Sequence, residues 1–116
     1  MTNEAQSGPP PEQQVVSVPT TKILAIGTVN VRGGADRRAS TMPREVRETV
    51  RLHLGGYIDQ WFSQTAAPGV VFILNMTDVE RARALLDELP LRKAGMMEFE
   101  LIPLGPLRPL NLLLAE

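Results

Sequence analysis

The sequence predicts an α+β fold of the ferredoxin-like βαββαβ type, a four-stranded antiparallel sheet with two helices on one face. Three observations carry this. Apolar runs at 22–29, 70–76 and 96–104 read as strands, with a mixed polar and aromatic run at 57–65 as a further strand. Amphipathic runs after Pro43 and after Thr77 read as helices. The stretch Pro68–Leu104 alone spells strand, helix, strand, and the rest of the chain completes the pattern.

The 116 residues make one domain at most. Hydrophobic residues form 43% of the chain and charged residues 22%, the balance of a soluble globular protein. A net charge of −1 gives no field to hold nucleic acid or an acidic membrane. The absence of cysteine excludes disulfides and thiolate metal sites, and a lone histidine excludes multi-histidine ones. There is no apolar run near the ~18 residues of a membrane span, and the polar start lacks the apolar core of a signal peptide. A cytoplasmic protein is the expectation.

Residues 1–20, with Gly8-Pro9-Pro10-Pro11, offer little to bury and read as a flexible tail or as a polyproline ligand. The domain proper is 21–116. Lys22–Val29 is apolar nearly throughout, as in a central strand, and Gly27 leaves room for a ligand or a close backbone. Arg32–Thr41 reads as a loop. Its Gly33-Gly34 lacks the partners of a phosphate-binding loop, and Arg37-Arg38-Ala39-Ser40 matches a basophilic kinase site or is simply solvated. Thr41 or Ser40 then caps a helix with Pro43 in its first turn. Val46, Val50, His53 and Leu54 fall on one face of it, and Gly55-Gly56 ends it. On that buried stripe His53 is either a packed core residue or a catalytic group.

Tyr57–Thr65 alternates Tyr57, Asp59, Trp61 and Ser63 on one face with Ile58, Gln60 and Phe62 on the other. This suits an edge strand or a half-polar pocket wall, with Trp61 and Tyr57 holding a flat ligand and Ser63 or Asp59 orienting it. Thr77-Asp78-Val79-Glu80 matches a capping box, opening a helix that Pro90 stops. In the last strand Glu98 and Glu100 share a face. They serve as acid and base if that face is enclosed, and as solvating charges if it meets water.

The sheet face away from the helices carries enough apolar surface to require cover. Two sheets meeting face to face supply it, so a homodimer with a shared barrel is expected, enclosing a chamber neither copy has alone. The leucine-rich segment 105–116 extends this to higher homo-oligomers.

Asp78-Val79 at a helix start, Leu89-Pro90-Leu91, Met97-Glu98-Phe99-Glu100-Leu101 and Pro103-Leu104 resemble the C-terminal half of the muconolactone delta-isomerases, members of the dimeric α+β barrel superfamily. Residues 22–76 follow that family only in order of elements, and Arg92–Gly95 are extra. The resemblance implies cofactor-free proton transfer on a small lactone or related cyclic substrate, moving a double bond. His53, Glu98, Glu100 and Asp59 are the candidate acids and bases, and Tyr57, Trp61 and Ser63 the candidate substrate contacts. The same superfamily also hosts cofactor-free monooxygenases and cyclases. A non-catalytic small-molecule-binding or assembly protein is the remaining alternative.

Overall fold

A computed structural model describes residues 18–30 and 33–107. The fold resides in the unit Thr20–Leu104; a second unit comprises Met1–Pro19 with Gly105–Glu116. The tail expected at Ser7–Gln14 and the leucine segment from Arg108 onward lie outside the described residues.

The elements are β1 (Lys22–Val29), α1 (Ala35–Leu54), β2 (Ile58–Ser63), β3 (Gly69–Leu74), α2 (Val79–Asp87), α3 (Pro90–Lys93) and β4 (Met97–Leu104). They form an α+β fold whose four-stranded sheet runs β2–β3–β1–β4, with every neighbouring pair antiparallel. β1 is central, as its apolar run predicts. Ile23 and Ala25 are fully buried and Leu24 and Ile26 only partly, so one face is packed and the other is not. The packed face carries Ile23, Phe72, Leu74 and Met97, and it joins Ala82 and Leu86 of α2 and Leu91 of α3 in one core.

Five local expectations are corrected. The loop expected over Arg32–Thr41 is helical from Ala35, so Ser40 and Thr41 do not cap α1. Gly34, at φ 82°, turns the chain out of the strand, and its carbonyl accepts from the Arg38 amide at 3.1 Å to close the first helical turn. The Ser40 and Thr41 hydroxyls instead both donate back to the Arg37 carbonyl at 2.9 Å. Pro43 lies inside the helix, where it offers no N–H to the Ala39 carbonyl. The Arg37–Ser40 tetrapeptide is therefore helical.

The buried stripe expected at Val46, Val50, His53 and Leu54 is also corrected: Leu54 is 79% exposed and Val46 54%. Thr41 and Glu45 are the buried residues of α1, and Leu52 packs beside the core. The inward face is turned about 145° around the helix from the centre of the apolar stripe.

The cap of α2 is Asp78 rather than Thr77. Its Oδ1 accepts from the amides of Glu80 at 2.9 Å and Arg81 at 3.4 Å, placing a carboxylate at the positive end of the helix. Pro90 does stop α2, but it also opens α3. Leu89 before it is extended, as a residue preceding proline must be, and Pro90 takes the first helical position. The residues extra to the resemblance, 92–95, complete α3 and its turn, with Gly95 at φ 75°.

The alternation expected in β2 is broken by a bulge between Ile58 and Gln60. Ile58, Trp61 and Ser63 pair with Leu74, Phe72 and Val70 and share their face, whereas Gln60 and Phe62 pair with Ile73 and Val71 on the other.

The space above Gly27 is filled by side chains rather than by backbone. A Cβ there would sit 2.6 Å from Phe99 Cε1 and 3.0 Å from Val70 Cγ2, so the Phe99 ring occupies the gap. Replacing Gly27 with alanine overpacks this core and lowers unfolding free energy by about 1–3 kcal/mol. Denaturant titration checks this, and an unchanged midpoint would mean that Phe99 moves aside freely.

Candidate functional site

Between α1 and the packed face of the sheet lies a cavity of about 530 Å³, formed by one chain alone. It lies on the helix-covered face of the sheet, not on the opposite face where two copies were expected to enclose a chamber. Phe72, Val70, Val29 and Met97 form its floor, Met42, Val46 and Val50 its helical rim, and Leu91 one end. Arg38, Glu45, Thr49 and Ser63 bring the polar groups, and Trp61 forms a wall.

Glu45 was not singled out by the sequence, where it is one of several charges along a helix. It is 6% exposed and its Oε1 accepts from the Leu91 backbone amide at 2.9 Å. That amide belongs to the first turn of α3 and has no carbonyl partner within its own helix. Desolvation by burial raises the Glu45 pKa above the ordinary carboxylate value, and the Leu91 hydrogen bond opposes this less strongly. A carboxyl that keeps its proton to higher pH, in an apolar cavity, suits proton transfer.

Of the candidate residues named from the sequence, the cavity brings together Trp61 and Ser63. Their inward direction comes from the bulge, which separates them from Asp59. Asp59 pairs with Lys22 at 3.6 Å, both half-exposed. His53 does not line the cavity but stands behind its wall. Its ring stacks on Trp61 with centroids 4.3 Å apart and 23° between planes. Its Nδ1–H donates to the Ile58 carbonyl at 3.0 Å, which fixes the ring in that orientation. Glu98 and Glu100 are exposed and lie on the opposite sheet face from Met97 and Phe99, with Glu98 3.6 Å from Arg92. Tyr57 is exposed and borders a smaller depression with Asn75 and Asp78.

The described residues contain no group of three or more His, Cys, Asp or Glu able to hold a metal ion. They contain no helix long and apolar enough to cross a membrane.

No protein-family profile matches this chain, and no curated protein matches it.

The raised Glu45 pKa has a signed consequence for stability. The folded chain holds this proton above the pH at which the unfolded chain releases it. The contribution is therefore greatest below the unfolded pKa and is lost as pH rises through the folded one. Glu45→Gln preserves the acceptor for Leu91 without the charge. Thermal melts across pH should show its stability gaining on the wild type as pH rises from 4 towards 8. A constant difference would place no protonation change at Glu45.

Proposed function

We propose that the cavity between α1 and the sheet binds a small organic molecule and that Glu45 moves a proton on it without a cofactor. The observation that carries this reading is Glu45 itself, a buried carboxyl with a raised pKa in a mostly apolar cavity that Trp61 also lines. In its ionised form Glu45 takes a proton from a carbon next to a carbonyl, and the electron pair of that C–H bond enters the conjugated system. The carboxylic acid then returns the proton to a different carbon, so the double bond moves and no net oxidation occurs. Oε1 stays with Leu91, and no second partner holds Oε2 among the described residues. Trp61, propped by His53, presents a flat surface for an unsaturated ring.

Such chemistry is that of a muconolactone isomerase-like enzyme, the reading to which the C-terminal resemblance also leads. The ferredoxin-like arrangement belongs to the same proposal, supported by the β2–β3–β1–β4 order. The outer sheet face carries Leu24, Ile26, Val71, Ile73 and Ile102 only partly covered, with Phe62 55% exposed. That supports a homodimer joined through this face.

Purified protein mixed with muconolactone should isomerise it, read by absorbance, with incorporation of deuterium from heavy water. Glu45→Gln should lower the rate by about 10²–10⁴-fold while the fold persists. Turnover unaffected by that change would remove Glu45 from the chemistry, and no turnover at high enzyme concentration would remove this substrate. Native mass spectrometry at micromolar concentration should show a dimer that Phe62→Glu disperses. A wild-type monomer would end the dimer proposal but leave the single-chain cavity untouched.

A further inference from the structure

Arg38 stands among the residues lining the cavity, half-buried, and has no ion-pair partner among the described residues. Its neighbour Arg37 is differently engaged, donating to the Ala94 carbonyl at 3.2 Å. A guanidinium stays charged at any physiological pH, so the side chain of Arg38 keeps its charge at the cavity with nothing of opposite sign among the described residues committed to it. The only acidic residue of the lining is Glu45, whose Oε1 is held by Leu91.

The spacing of the two is fixed by the helix. Arg38 and Glu45 are seven residues apart, so they share one face of α1 and are separated by about 10 Å along its axis. Met42 lies between them on the helix, and Phe72, Val70 and Trp61 line the same cavity from the sheet. At about 530 Å³, the space is of the size that takes drug-sized ligands. A single small ring would fill only part of it and leave apolar wall against water.

We propose that this cavity takes a flat, mostly apolar monoanion of at least two rings' length, with its anionic group on Arg38 and its apolar body along Trp61 towards Glu45. This rests on the reading of the cavity as a ligand site and extends its substrate class from a single-ring lactone to longer anions, which bind more tightly. A neutral ligand would desolvate the guanidinium without pairing it, and a short one would not reach between the two polar ends.

Trp61 is the sole tryptophan of the chain, so its fluorescence reports occupancy. Biphenyl-4-carboxylate, biphenyl-4-carboxamide and benzoate are titrated into the full chain. The biphenyl acid should bind about 10–100-fold more tightly than its neutral amide, the range of a charge-assisted hydrogen bond, and more tightly than benzoate. Arg38→Gln should abolish the preference for acid over amide without weakening amide binding. Arg38→Lys should restore part of it, and Arg47→Gln, on an exposed position of α1, should leave it intact. Equal affinity for acid and amide, benzoate matching the biphenyl acid, a preference that survives Arg38→Gln, or no binding by any of the three overturns the proposal. None of the probes carries a labile C–H bond, so an absence of turnover would fall on the proton-transfer reading alone.

Discussion

The hydrogen bond from the Leu91 amide to the Glu45 carboxyl governs how α1 meets the rest of the molecule. It is the buried polar tie between the long helix and α3, and it comes from a side chain that would otherwise be driven into water. The two most buried residues of α1 are Thr41 and Glu45, so this helix is not drawn onto the sheet by a stripe of large apolar side chains. Its apolar residues Met42, Val46 and Val50 flank an opening instead. A helix that packed by those residues would close over the sheet, and the cavity would be core. Holding the helix by a carboxyl leaves the floor of Phe72 and Met97 facing space.

The sheet side of the cavity depends on a second departure from regularity. An unbroken β2 would send Ile58 and Trp61 to opposite faces. With one extra residue at the bulge, Ile58 remains in the core while Trp61 and Ser63 also point inward, and Asp59 is left outside with Lys22. The Trp61 ring then needs support on the side away from the cavity. His53, at the end of α1, supplies it by stacking, and its own orientation is set by the Ile58 carbonyl at the start of the same strand. Helix end, bulge and aromatic wall are thus one connected unit.

Much of the sheet was legible in the sequence because continuous apolar runs bounded by glycine and proline have few other homes. β1 starts and ends where its composition says, and Pro90 marks a helix boundary. The start of α1 was not legible, since Ser40, Thr41 and Pro43 imitate a helix opening while the true first turn is built on a glycine with no side-chain cap. The inward face of α1 was misread for a related reason. Periodicity finds where apolar residues gather but not whether they meet a packed core or an open cavity, and here the apolar arc borders the opening. In β2, counting by twos cannot register a bulge, so Trp61 and Ser63 reached the right wall while Asp59 was grouped with them in error. Glu45 carried no signal of its own beyond its phase. It lies on the same helical face as Arg38, Thr41 and Leu52, a grouping that shows itself only once the direction of the sheet is known.

That same phase explains why the cavity can be both apolar and chemically equipped. A carboxyl placed in such a space gains nothing from solvation, so its charged form is penalised and its proton is held more tightly. The Leu91 amide offsets part of that cost by stabilising the ionised form. The amide alone would lower the pKa, and burial alone would raise it further. The two influences act in opposition on one carboxyl group, with burial the stronger. The geometry that holds the helix in place is therefore also what tunes the acid.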